Sequence, residues 1–267
     1  MVDLDRLGTE GRLAAAAHLD QMSTREQLEL MSRQDEVAVA AVAAARDQIA
    51  RVIDAAVARM RRGGRLIEVG AGTPGRLAIL DVAECRPTFG VGDDRVLAVI
   101  AGGAGAVDQA VEMGEDDRDA GTTDLRRMGL TADDVVVAVS ASGRTPYVLG
   151  ALAAATDAGA LTVGVVNNPG TPVASASELA IEVVTGPEVV AGSTRLKAGT
   201  AQKLVLNAIS TLVMVRLGHT YGDLMVDVEA SNSKLRRRAR RIVAEATGAS
   251  DEQVEAAIDD YHQQLYV

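Results

Sequence analysis

Two carboxylates and three hydroxyls stand where side chains of their type can do chemistry. Glu84 lies near the end of a segment, Ile67 to Phe89 (IEVGAGTPGRLAILDVAECRPTF), that opens as an apolar run and turns on glycines. Glu115 sits in the acidic stretch Glu112-Met113-Gly114-Glu115-Asp116-Asp117. Paired carboxyl groups can act as general acid and general base once burial or a neighbouring charge pushes their pKa values apart. Periodicity alone does not single these two out, and a glutamate in an acidic run is ordinarily a solvated surface residue. Ser140, Ser142 and Thr145, in Ser140-Ala141-Ser142-Gly143-Arg144-Thr145-Pro146, put hydroxyls beside the unpaired N–H groups of a helix start, which suits an anion. Thr145 followed by Pro146 also reads as a cap and a first-turn proline, so capping and anion binding are both open. Gly70, Gly72 and Gly75, around Thr73, form a second glycine turn of this kind. The chain has no G-x-x-x-x-G-K-[ST] motif, which argues against a nucleotide-hydrolysing loop.

The elements that must position these residues are five short, apolar, β-branched runs: Leu66–Val69, Val96–Ile100, Val135–Val139, Thr162–Val166 and Ala180–Val184. Helical stretches alternate with them at Arg76–Ala83 (breaking at Pro87), Val107–Met113 and Pro146–Ala158, followed by a poorly patterned turn at Asn167–Glu178. This alternation predicts an α/β fold, a five-stranded parallel sheet with helices on both faces. Ligands of such sheets bind beyond the carboxyl ends of the strands, where the glycine and hydroxyl loops converge and where Asn167-Asn168 follows the fourth run. Before the sheet, Ser23-Thr24-Arg25-Glu26 has capping-box spacing, and a second, longer helix is expected from Asp35 to Arg62, stopped by Gly63-Gly64. After it, Gly192–Gly218 holds Arg195 and Lys197 close to a helix start, where the dipole disfavours cations. That conflict is resolved either by a bound anion or by an ion pair. A basic helix over Ser231–Thr247 and a short final helix complete the chain. The organisation expected is a helical segment over 1–62, an α/β unit over 63–218 and a helical segment over 219–267.

Composition limits the function classes. The formal charge of −10 argues against a general nucleic-acid binder, and the basic run Lys234 to Arg241 reads as a solvated helix face. Cys85 is the single cysteine, and His18, His219 and His262 are scattered, so no metal-ligand spacing is present and a reduced, cytoplasmic setting is expected. The start MVDLDRLGTE is acidic and polar, unlike a secretory signal. The apolar helix over Lys203–Leu217 reads as too short to span a bilayer, so no membrane partner is expected.

VGAGTPGRLAILDVAECRPTF, SASGRTPYVLGAL, GPEVVAGSTRLKAGTAQKLVLNAIST and YGDLMVDVEASNSKL resemble the N-acetylmuramic acid 6-phosphate etherases, from about Thr9 to Gly248. The resemblance implies the doubly wound sugar-isomerase (SIS) fold and a carbon–oxygen lyase of cell-wall sugar recycling. Such an enzyme removes D-lactate from N-acetylmuramic acid 6-phosphate by elimination and water addition, with no metal or organic cofactor. It implies Glu84 as the acid that protonates the departing lactate oxygen, and Glu115 as the base at C2 or the partner that activates water. It implies a phosphate site on Ser140, Ser142, Gly143 and Thr145, with Gly72, Thr73 and Lys197 nearby, in a homodimer whose subunits share the site. The chain departs from the family pattern at Pro74 (usually Ser), at Glu68 (usually uncharged, and repulsive if near a phosphate) and at Asp223 (commonly Asn). Further departures are Arg12-Leu13-Ala14 in place of Arg-Asn-Pro, Ser140 in place of Ala, and a shorter C-terminal region. A non-catalytic sugar-phosphate regulator and an aldose–ketose isomerase share the fold and stand as the alternatives.

Overall fold

A computed structural model describes residues 7–109, 114–227 and 233–264. Five strands form one parallel sheet: β1 (Leu66–Gly70), β2 (Val96–Ile100), β3 (Val135–Ser140), β4 (Leu161–Val166) and β5 (Leu179–Glu182), in the order β2-β1-β3-β4-β5. Leu66 pairs in register with Val96 on one side and Val135 on the other. The chain leaves β1 in one direction across the sheet and resumes from β3 in the other. The strand order therefore reverses between β1 and β3, and a crevice opens at their carboxyl ends.

Each face of the sheet packs one helical layer. Leu66, Val135, Val137, Val139, Val163 and Val165 point into one core, and Ile67, Val69, Val136 and Ala138 into the other. This is the two-residue alternation of a strand covered on both sides. The first layer holds α1 (Thr24–Ala44), α2 (Arg46–Met60), α3 (Gly72–Phe89) and α7 (Lys197–Leu217). The second holds α4 (Arg118–Arg127) and α5 (Pro146–Asp157). A single turn, α6 (Pro172–Ser175), links β4 to β5, and α8 (Ser233–Thr247) packs on α9 (Asp251–Gln264).

Several boundaries differ from the sequence reading. The capping box forms as expected: the Glu26 N–H donates to Ser23 Oγ (3.4 Å) and the Ser23 N–H to Glu26 Oε2 (2.8 Å). The helix it starts runs through Asp35 to Ala44, and the break falls at Ala45 (φ −85°, ψ 6°), where no glycine or proline marks it. Pro87 does not end α3. It sits in the last turn, and the helix stops at Phe89 with Gly90 in the left-handed region. The polar helix α4 was not expected at all. It is held by an Asp117 cap on the Ala120 N–H and by near-contact with α5: a Cβ on Gly121 would lie 2.0 Å from the Tyr147 carbonyl. The helix expected over Lys203–Leu217 starts at Lys197, and its 21 residues are long and apolar enough to cross a membrane. It is instead the central helix of its layer, burying Ala201, Val205, Leu206, Ile209 and Val213. Of the helix expected over 107–113, residues 107–109 form a turn and a bend rather than a helix, and the rest lies outside the described residues, as does the start of the one expected from Ser231.

Candidate functional site

The loop after β3 lies at the crevice. Ser140, the last residue of the strand, is buried, and its Oγ lies 2.8 Å from Thr145 Oγ1 and 3.5 Å from Ser142 Oγ. The Gly143 N–H donates to Ser140 Oγ (3.0 Å), and the Arg144 N–H to Ser142 Oγ (3.3 Å). Gly143 holds φ +67°, and a Cβ there would meet Thr171 Oγ1 at 2.3 Å, so only glycine fits. Thr145 precedes α5, yet its side chain makes no capping bond and turns to Ser140 instead. Three hydroxyls thus gather at one point rather than being spent on a helix cap.

Opposite this loop, α3 begins at Gly72 (φ +57°) with no side-chain cap, so its first-turn N–H groups have no side-chain acceptor. Pro74 stands in that first turn and removes one of them. Thr73 touches the first turn of α7: a Cβ on Gly199 would lie 3.3 Å from Thr73 Cγ2. At that turn Lys197 is buried, and its Nζ donates to Gln34 Oε1 (2.6 Å) of α1. Glu188, also buried, accepts from the Lys197 N–H (3.2 Å) and the Ala198 N–H (2.9 Å). Burial pushes the Glu188 carboxyl up against the pull of these N–H groups and of Lys197, and burial holds the Lys197 ammonium below its ordinary value. For Lys197 the structure shows no ion pair among the described residues: Glu188 accepts the backbone N–H groups of the helix start, and the ammonium donates to the Gln34 amide, beside the two loops.

A second buried network ties the loops to the N-terminal segment. Asn168, after β4, donates to the Ala141 carbonyl (2.9 Å) and to Thr9 Oγ1 (2.9 Å), and accepts from the Thr9 N–H (3.2 Å). Gln202 of α7 donates to Asn167 Oδ1 (2.8 Å). Thr9, Glu188 and Gln202 were not assigned from the sequence. Their signal was the family resemblance alone, which begins at Thr9 and includes Glu188 and Gln202 in the stretch GPEVVAGSTRLKAGTAQKLVLNAIST.

The two carboxylates stand apart within one chain. The Glu115 carbonyl accepts from the Tyr147 N–H (3.0 Å) in the first turn of α5, and its neighbour Gly114 packs on the Ala101–Gly102 turn after β2. Arg76 steadies the approach to it, donating to the Val107 carbonyl (3.0 Å) and the Gln109 carbonyl (2.8 Å). Glu115 is therefore placed beside Ser140–Thr145, with its side chain exposed. Glu84 is not. It lies more than three turns along α3 from Gly72, about 18 Å at the ~1.5 Å helical rise per residue. There it lines a cavity of about 370 Å³ with Asp81, Cys85, Asn207, Ser210 and Asp223. The Tyr221-Gly222-Asp223-Leu224 turn covers this cavity, braced by a Tyr221–Leu224 bridge and by His219 Nδ1 at 2.7 Å from Asp227 Oδ2.

Glu68 does not face the crevice. Its side chain is on the α3 and α7 face of the sheet, beneath Asp81 and Cys85, and not beside the phosphate loops. It repels no phosphate from there.

The chain is similar to known proteins over most of its length. The glucokinase regulatory protein N-terminal SIS domain family matches residues 48–156, and the SIS domain family matches residues 119–212. A Rubrobacter xylanophilus protein named N-acetylmuramic acid 6-phosphate etherase is 57% identical over 256 residues, covering 96% of this chain and 85% of its own. Its namesake in Streptomyces avermitilis is 55% identical, covering 96% and 82%, and one from Vibrio vulnificus 51%, covering 96% and 86%. Among solved structures, a phosphoheptose isomerase from Francisella tularensis superposes with TM-score 0.56 at 17% identity, over 73% of this chain and 100% of that one. The E. coli CFT073 protein c3406 gives 0.54 at 19%, over 76% and 97%. These two show the fold.

Proposed function

The chain belongs to the N-acetylmuramic acid 6-phosphate etherase family, and we propose that its loops and carboxylates carry out that family's reaction in the following way. The protein cleaves the D-lactyl ether of N-acetylmuramic acid 6-phosphate, giving N-acetylglucosamine 6-phosphate and D-lactate, as a carbon–oxygen lyase of cell-wall sugar recycling. The observation that carries the site assignment is the gathering of Ser140, Ser142 and Thr145 hydroxyls with Gly143 at the crevice, across from the uncapped start of α3.

The phosphate sits between these hydroxyls and the first turn of α3 at Gly72 and Thr73, with Lys197 adding positive charge from the adjoining turn of α7. In the open-chain sugar, the C1 aldehyde acidifies the C2 proton. Glu115, beside the phosphate loop, takes that proton or activates the water that adds back. Glu84 protonates the ether oxygen as lactate leaves C3. One proton is taken and another given, so two carboxylates in different settings suffice.

The sugar's carbon chain spans only roughly 6–7 Å at ~1.5 Å per bond. A phosphate at the start of α3 cannot bring C3 to the Glu84 of the same chain, about 18 Å along that helix. A second subunit supplies the missing carboxylate: the protein works as a homodimer with composite sites, in the cytoplasm. Exposed Leu28 and Val39 on α1, Leu80 on α3 and Leu212 on α7, all in one layer, support such an interface. Incubating the purified protein with N-acetylmuramic acid 6-phosphate and following D-lactate tests the reading. Release by the wild type and loss in Glu84→Ala and Glu115→Ala is expected. Binding of the sugar phosphate without lactate release would point to a regulator.

A further inference from the structure

Under the Glu84 cavity lies a buried acid that the reaction above does not use. Glu68 is 0% exposed, and neither of its oxygens receives a hydrogen bond from any donor among the described residues. An ionised carboxylate in that position would be an uncompensated charge on the sheet face whose apolar core holds Leu66, Cys85, Val205 and Leu206. The group within hydrogen-bonding reach is another carboxyl, Asp81 of α3. Asp81 is itself 6% exposed and lines the cavity; its Oδ1 accepts from Asn207 Nδ2, and its Oδ2 has no donor. Two carboxyls pressed together hold one proton between them rather than two charges. Asp81 already has a donor and Glu68 has none, so the proton belongs on Glu68, where it satisfies Asp81 Oδ2.

The resulting chain runs from β1 through Glu68 to Asp81 on α3 and on to Asn207 on α7. It crosses the middle of α3, which is otherwise tethered by polar side chains nearer its two ends, Arg76 to the Val107 and Gln109 carbonyls and Arg86 to Asp93. Asp81 and Glu84 are three residues apart, neighbours on one side of that helix. We propose that Glu68 is a positioning residue for Glu84: as a neutral acid it donates its proton to Asp81, and the bond to Asn207 then locks the turn of α3 that presents Glu84 to the cavity. This rests on the etherase reading for its consequence in catalysis, and on two buried carboxyls with unpartnered oxygens for the bond. Burial first, and Asp81 second, hold the Glu68 carboxyl well above the usual carboxylate range, in keeping with a stored proton.

The groups facing Glu68 decide how the test is read. From α3 they are Asp81 and Cys85; Glu84, Asn207, Ser210 and Asp223 line the neighbouring cavity together with those two residues. The register neighbours Ala98 and Val137 carry no charge. The Cys85 thiol, pushed up to about 12 chiefly by burial, titrates above the working range.

The experiment compares the wild-type protein with Glu68→Gln and Glu68→Leu. In infrared spectra at neutral pH, the wild type should show the C=O stretch of a protonated carboxyl, and Glu68→Gln should lack it. Glu68→Gln still offers an N–H to Asp81, so its kcat for lactate release should stay within about threefold of wild type; Glu68→Leu offers no donor and should lose about tenfold or more in kcat with KM little changed. The wild type should lose activity on the alkaline side as Glu68 ionises, and Glu68→Gln should not. Absence of the carboxyl band, an alkaline limb that survives in Glu68→Gln, or wild-type kcat in Glu68→Leu would each overturn the proposal. Should Glu68→Leu fail to fold, the band and the Glu68→Gln profile decide it. Lactate release without the band sinks this inference and leaves the etherase standing. The band without lactate release sinks the etherase reading, and with it the catalytic role, while leaving the bond.

Discussion

Replacing Glu188 tests how the start of α7 is held beside the phosphate loops. Its carboxylate is the acceptor for the Lys197 and Ala198 N–H groups and the charge facing the buried Lys197. Glu188→Ala leaves two first-turn donors without an acceptor in a site that is 1% exposed at Glu188 and 2% at Lys197. Each buried unsatisfied donor costs about 1–3 kcal/mol, so losing the acceptor of both should cost about 2–6 kcal/mol. Glu188→Gln keeps one oxygen acceptor and loses the charge, and should cost about 2–3 kcal/mol. Urea unfolding followed by circular dichroism reads both, provided the slope with denaturant is unchanged between variants. A Glu188→Ala loss below about 1 kcal/mol would refute the reasoning, since the two donors would then be satisfied without it. Equal losses in the Ala and Gln variants would refute the acceptor role specifically.

Three further outcomes are expected. Gly143→Ala forces an alanine into φ +67° and against Thr171, so it should cost about 2–3 kcal/mol and raise KM for the sugar phosphate more than it lowers kcat. Asp134, buried at the foot of β3, accepts from Arg65 and from the Thr131 N–H; burial alone would raise its carboxyl, but these partners hold it below the usual range. Its stabilisation is thus full above the unfolded carboxylate value and lost as pH falls through the lower folded one, and Asp134→Asn should flatten that acid limb in thermal melts between about pH 2 and 5. Mixing inactive Glu84→Ala with inactive Thr145→Ala subunits should restore about a quarter of wild-type lactate release, since half the dimers then carry one intact composite site; no recovery after verified subunit exchange would place Glu84 and the phosphate loop in one chain.

Much of the frame was legible because it rests on short-range patterns. The apolar runs at Val135–Val139 and Thr162–Val166 read as strands buried on both faces, and Ser23 with Glu26 could cap a helix without help from elsewhere. What failed depended on contacts made at a distance. The α4 sequence, Arg118–Arg127, is polar, and its packing comes from glycines at 121 and 150 that let two backbones approach, a signal no hydrophobic period carries. Pro87 read as a stop because proline breaks helix interiors, but in a last turn it sacrifices little. That misreading shortened α3 at its far end, beyond Glu84. Glu68 looked adjacent to a phosphate because it precedes the glycine turn in sequence. The two-residue alternation of the strand turns it to the opposite task, a buried acid under the other end of the helix. Thr145 was legible as a helix start, yet only the structure showed its hydroxyl spent on Ser140 rather than on the cap.

The central claim is elimination of lactate by two carboxylates, and one reaction run in deuterated water tests it most directly. Wild-type protein should convert N-acetylmuramic acid 6-phosphate to D-lactate and an N-acetylglucosamine 6-phosphate that carries solvent deuterium at C2, while Glu84→Ala and Glu115→Ala release little or none. Lactate release with no deuterium at C2, or no release by the wild type, would contradict it.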